Sequence, residues 1–471
     1  MKVIAREIIQ NKILYDLIYK EKYDFKTKLK IFLGNRPFIT ILKKQRERNK
    51  LYEGELVVVR INKENRIYEF ITKIREWGKI NIPIKIIKDL SIKNKEKLKI
   101  ELIKNKEFKN INRENTINLT NIIRFNKKLE IINRNEKYIT IYKTSCIPIT
   151  IPRIIKINED LIEAIYLLHG DGHYQKKLYF SNKNYDLHKF IINTFNKQLF
   201  IPKKLWRYRI NHNKRELIDK AKNFWIENLK ANKKRFYETR KLSSFNTVKY
   251  GNLRSIIDNT IVSEIFNYLI HKIKIDKERL SLIALNGILS AEGNAQIDKK
   301  GLHKITIAYN EDEKQMFINL LIKSNLKNFK IEQNKRFCIR KWEHQYKFIK
   351  KFLSNNLIPF NKHSERRLNL IIGFLNHSYT RSAIKYLEIL KQGKSYEEIA
   401  KTLNHRKDSV LELLKKDRYK KFTKKTISGK IKINKRGKEF IEITEKLKNM
   451  LKETEKEYLE YIKPINKFKE E

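Results

Sequence analysis

Two short stretches place an acid where a helix disfavours one. Ala164-Ile-Tyr-Leu-Leu-His-Gly-Asp171-Gly172 and Leu285-Asn-Gly-Ile-Leu-Ser-Ala-Glu292-Gly293 each read as an apolar helix ending in a small residue, an acid and a glycine. Gly172 and Gly293 suit the position just past a helix end. Asp171 and Glu292 then fall in the last turns, where the helix dipole is negative. Two such ends side by side collect two carboxylates and two negative poles, an arrangement that calls for a cation. A hard divalent ion with oxygen ligands fits, and Mg²⁺ keeping several waters is the natural choice, with Mn²⁺ as a substitute. Such ions stabilise the attacking and leaving oxygens of phosphodiester hydrolysis, so no Ser, Cys or His nucleophile is needed. His169 and His173 are four apart, but the glycines between them end the helix, and His169 reads as structural or solvent-exposed.

The elements around the two stretches repeat. Each helix is followed by strand-like and helix-like segments that read α-β-β-α-β-β-α, from about residue 151 to 357. Glu311, Asp312 and Glu313 load the start of the second unit's middle helix with acid, as a helix N-terminus prefers. Gly287 lies inside a helix, where glycine costs ~1 kcal/mol against alanine. A packing reason is therefore expected, with Gly287 and Tyr166 at a helix–helix interface.

Leu285-Asn286-Gly287-Ile288-Leu289-Ser290-Ala291-Glu292-Gly293 matches the LAGLIDADG motif position for position. The first stretch keeps Gly170-Asp171-Gly172 but carries Tyr166 and His169 where the motif has its first Gly and first Asp. The region resembles a monomeric, two-repeat LAGLIDADG homing endonuclease. The resemblance implies an α+β fold in which two pseudo-symmetric αββαββα repeats form a saddle over DNA. It implies that Asp171 and Glu292, with Gly170 and Ala291 beside them, hold Mg²⁺, and that each acid serves the cutting of one strand, leaving short 3′ overhangs. A basic catalytic residue is expected from Lys341 or Arg340 in one half and Arg209 or Arg207 in the other.

The chain has 471 residues, too many for one core. Its net charge of +53 calls for a polyanionic partner, and double-stranded DNA with a long target site is the expected one. Lys176, Lys177, Lys203, Lys204, Arg207, Lys304, Lys330, Arg336 and Arg340 are the expected phosphate contacts, interleaved with Trp206, Tyr208 and Trp342. No apolar run reaches the ~18 residues of a membrane span, and no secretory signal opens the chain, so a cytoplasmic protein is expected. Cys146 and Cys338 are far apart and fit a reducing compartment.

Residues 1–50 read as a basic helical segment. Residues 51–110 contain Gly78-Lys79-Ile80-Asn81-Ile82-Pro83, Leu90-Ser91-Ile92 and Lys97-Leu98-Lys99-Ile100. They resemble the AbrB-like swapped-hairpin DNA-binding module, in which two such segments intertwine, so this module is expected to be able to dimerise while the core stays monomeric. Asn94-Lys95-Glu96 stands where that family has a Gly-Asp turn. Residues 111–155 read as a linker with strands, 156–250 and 251–360 as the two repeats. In 361–471, Ser395 to Glu398 forms a capping box. The helices around Asn404-His-Arg-Lys407 resemble a helix-turn-helix, with Arg406 and Lys407 facing DNA and a following hairpin as a wing. The expected function is site-specific, Mg-dependent DNA cleavage. The alternatives are a non-catalytic DNA-binding regulator and an RNA splicing cofactor with intron RNA as partner.

Overall fold

The computed structural model describes residues 22–28, 37–63, 66–104, 116–126, 128–134, 137–175, 177–212, 217–241, 250–392, 396–415, 420–426 and 431–467. The architecture is mixed α+β. The chain divides into two compact units, Met1–Leu161 with Gly172–Lys274, and Ile162–Asp171 with Ile275–Glu471.

The first unit opens on a duplication that the sequence reading missed. Strands β1 (Lys22–Lys28) and β2 (Phe38–Thr40), helix α1 (Lys43–Arg48) and β3 (Leu56–Lys63) form one half. Strands β4 (Arg66–Lys73) and β5 (Lys79–Asn81), helix α2 (Ile84–Asp89) and β6 (Lys97–Lys104) form the other. The halves interleave. The sheet order β1-β6-β3-β4 reads the same when the halves are exchanged, and β2 pairs with β5. Residues 22–28, expected to be helical, are a strand, because Tyr23 to Thr27 find a full antiparallel partner in Leu102 to Leu98 of β6. The strand that pairs with β6 on this side is thus supplied by the chain itself. Ile39, Val57, Val59 and Ile61 share one core with Phe70, Ile80, Ile86 and Ile100.

The turn chemistry repeats residue by residue. Each helix ends on a left-handed residue, Lys50 (φ 48°) and Ser91 (φ 49°). In each following turn a glutamate side chain accepts a backbone N–H: Glu55 from Tyr52 at 3.0 Å, Glu96 from Lys93 at 2.7 Å.

Helix α3 (Ile122–Phe125) and strand β7 (Thr116–Asn118) follow. Strands β8 (Glu130–Arg134), β9 (Tyr138–Tyr142) and β10 (Ile149–Pro152) extend the main sheet to seven strands through the pairing of Ile71 with Ile131. The strands expected in the stretch 111–155 thus join this sheet, and β11 (Ile154–Lys156) pairs with β7.

Helix α4 (Glu159–Asp171) starts on an Asn158 cap, whose side chain accepts from Leu161 N. A five-stranded sheet orders as β12-β13-β16-β14-β15, from β12 (Gly172–His173), β13 (Leu178–Asn182), β14 (Trp206–His212), β15 (Phe236–Lys241) and β16 (Asn252–Ile257). Helices α5 (Tyr185–Leu199), α6 (Ile218–Leu229) and α7 (Thr260–Lys272) accompany it. This half departs from the expected αββαββα order, because α6 falls between β14 and β15, which run parallel.

In the second unit, residues 162–171 of α4 lie with α8 (Glu278–Glu292). Strands β17 (Gly293–Asp298) and β18 (Gly301–Ala308), helix α9 (Glu311–Lys323), strands β19 (Lys330–Glu332) and β20 (Arg336–Ile339) and helix α10 (Trp342–Ser354) follow in the αββαββα order expected for this half. Asn310 and Glu313 cap α9 reciprocally. Then come α11 (Glu365–Asn376), α12 (Ser378–Lys391), α13 (Tyr396–Leu403), α14 (Lys407–Lys415), the hairpin β21 (Thr423–Lys425) and β22 (Ile431–Ile433), and α15 (Lys435–Lys467). Ser395 of the expected capping box lies outside the described residues. No described helix is long and apolar enough to cross a membrane.

Candidate functional site

The two acid-tipped helix ends meet inside the second unit. A Cβ on Gly287 would stand 2.6 Å from the Glu163 carbonyl oxygen and 2.9 Å from Leu167 N, so α8 presses its backbone directly on α4. The Asn286 amide donates to Glu163 at 2.8 Å across the same crossing. One turn on, a Cβ on Gly170 would meet Ala291 Cβ at 2.7 Å and Glu292 Cγ at 3.5 Å. Tyr166 is buried at this interface, and burial pushes its hydroxyl up to about 12. Gly172 and Gly293 stand just past the two helix ends, as expected. Both are extended and open the strands β12 and β17. Gly293 is required by crowding, since a Cβ there would collide with the Leu289 carbonyl oxygen and meet the Phe360 ring at 2.8 Å.

The electrostatics of the meeting point are dominated by Glu292. Burial first, then Asp171 and Glu313, push its carboxyl up to about 7, against the pull of Arg366. Arg366 also donates to Ala291 O at 2.8 Å and to Ser290 O at 3.3 Å, so a guanidinium occupies the negative pole of α8. Buried His169 lies 3.5 Å from Glu313. Among the described residues no group of three His, Cys, Asp or Glu side chains could hold a metal ion. Arg366 and Glu313 were missed as members of this cluster. Glu313 looked like an ordinary capping residue, and Arg366 sits on a helix far along the chain.

The remaining expected site residues are dispersed. Lys341 is exposed at the N-cap of α10, and the cation acting on Glu292 is Arg366. Arg209 lies half-buried on β14 of the first unit. Several expected phosphate contacts are held by carboxylates. Lys177 and Arg207 reach Asp258 at 3.0 and 3.9 Å. Arg340 and Lys304 converge on Glu332, and Lys407 pairs with Glu397. Lys203, Lys204, Lys330 and Arg406 are exposed and Arg336 is half-buried, while Lys176 lies outside the described residues. Trp206, Tyr208 and Trp342, expected to face DNA, are core residues at 0%, 4% and 5% exposure.

The model of the PilZNR family, described as flagellar protein YcgR, matches residues 11–89. This match overturns the endonuclease expected from the motif. With it fall the LAGLIDADG, AbrB-like and helix-turn-helix resemblances, the regulator and splicing alternatives, and the long DNA target or intron RNA as partner. The physical reason is visible at the crossing. Gly170, Gly287 and Gly293 are accounted for by close packing, which fixes these residues without any chemistry. No curated protein matches the chain. Among solved structures, the solution structure of PHS018 from Pyrococcus horikoshii is 21% identical over 18% of this chain and 95% of its own, with a TM-score of 0.16.

Proposed function

We propose that the chain is a non-enzymatic regulatory protein of the motility type, whose N-terminal module binds an anionic cyclic dinucleotide. The observation that carries this reading is the match of residues 11–89 to the family model of a flagellar protein. The net charge of +53 supports it, since a field of that sign concentrates phosphate ligands at the surface. The internally duplicated sheet also supports it, because a platform already ordered loses little entropy on binding.

On this reading the crossing of α4 and α8 is scaffold. A Mg²⁺ or Mn²⁺ ion fits the Asp171 and Glu292 pair poorly. The Glu292 carboxyl keeps its proton up to about pH 7, the Ala291 carbonyl already accepts from Arg366, and no third ligand joins the two acids among the described residues. Calorimetric titration of the full chain with cyclic di-GMP tests the reading. Saturable binding that weakens with added salt is expected. Absence of binding at low salt overturns it.

A further inference from the structure

We infer that the turn Arg75–Lys79 and the facing helix α1 form the nucleotide site of the N-terminal module, with Trp77 stacking on a base and Arg46 receiving a phosphate. The inference rests on the proposed reading and names the site within it. Trp77 is 76% exposed, while the other tryptophans, Trp206, Trp225 and Trp342, are buried. A large aromatic left in water at the tip of a turn makes no contribution to the core, and a base offers the π-face it lacks. Its backbone is left-handed (φ 61°), a region that a bulky residue enters only when its surroundings impose it.

Those surroundings are defined. Arg75 N donates to Lys79 O at 2.8 Å and Gly78 N donates to Arg75 O at 3.0 Å, closing the turn. Ile41 N donates to Gly78 O at 3.0 Å and ties the turn to the strand before α1. Gly78 is itself left-handed (φ 69°), and the stem of Arg46 fills the space where its Cβ would be, 2.6 Å from Cδ and Nε. Arg46 Nε is buried with no hydrogen-bond partner among the described residues. Arg46 as a whole is only half-buried, and its guanidinium is always charged, so a phosphate docked on the open side of the turn gains a charge-assisted bond. Arg75 and Lys79 on the turn and Lys43 and Lys44 on α1 are exposed, with Glu47 lying 3.9 Å from Lys43. The turn's own acid, Glu76, is exposed as well. The pairing of an open aromatic with a half-buried guanidinium and flanking lysines selects an anion with a planar ring, and a nucleotide is that chemistry.

The exposed Trp77 is its own probe. The full chain is titrated with cyclic di-GMP, and in parallel with GMP, following tryptophan emission and heat. Quenching of the solvent-exposed emission is expected, absent in Trp77→Phe. Affinity should fall about tenfold in Trp77→Ala and comparably in Arg46→Gln, while Trp77→Gly, which suits the left-handed turn, should melt no lower than wild type and bind as weakly as Trp77→Ala. Heat with cyclic di-GMP that all variants retain, without quenching, overturns the site and leaves the proposed function standing. Trp77-dependent quenching by GMP without binding of cyclic di-GMP keeps the site and overturns the function. Neither heat nor quenching with either nucleotide overturns both.

Discussion

Lys95 in the second half of the duplicated module holds the left-handed position that Gly54 holds in the first, at φ 64° and 81°. The two turns are otherwise alike, each closed by a glutamate accepting from the residue three before it. Lysine bears a strain there that glycine does not. Lys95→Gly is therefore expected to stabilise the protein by up to about 1 kcal/mol, less glycine's entropy in the unfolded chain. Gly54→Ala should destabilise it through the same strain alone, since nothing lies within 4 Å of the added methyl. Urea denaturation of the two variants checks both signs. Equal midpoints for Gly54→Ala and wild type would show that the turn is not left-handed.

The crossing of α4 and α8 makes a sharper demand. A methyl at residue 287 would meet the Glu163 carbonyl and Leu167 N, both backbone atoms that cannot rotate away. Gly287→Ala must therefore push two helices apart, at a cost of about 1–3 kcal/mol. The helix propensity of alanine acts the other way by ~1 kcal/mol, so a net loss of stability diagnoses the contact. A variant as stable as wild type would mean that the helices do not touch at Gly287.

How much of this was legible in the sequence follows from the range of each interaction. The second half-repeat showed its order of helices and strands, because periodicity and the acids of Glu311 to Glu313 are local signals. The interior glycine announced a close approach for the same reason. The duplication of the N-terminal module was hidden, because its two halves share turn geometry more than residues: Gly54 against Lys95, Lys50 against Ser91. Strand β1 carries no local strand signal, because its partner, Leu98 to Ile103, lies far along the chain. The candidate site was misjudged in a similar way. Acids at helix ends suggested a metal, but Arg366, from α11, supplies the compensating charge, and no local pattern points to it. Basic residues read as free for phosphate, such as Arg340 and Lys304, are bound to Glu332, on a different strand.

Glu292 gives the second unit a pH dependence with a definite sign. Its carboxyl is raised from 4.5 to about 7, chiefly by burial and then by Asp171 and Glu313. The native state thus binds a proton that the unfolded chain has released, and stability falls as pH rises from about 4.5 to about 7. Below that window both states are protonated and Glu292 makes no difference; above it the full penalty of a buried, crowded carboxylate is present. Glu292→Gln keeps the shape and removes the charge. Its stability relative to wild type should climb across the window and level off above it, in urea denaturation at a series of pH values. Arg366→Gln should do the opposite, pushing the Glu292 carboxyl higher still, because the guanidinium that favours the carboxylate and caps Ala291 O is gone. A wild-type pH profile that Glu292→Gln reproduces would place the titration on another group.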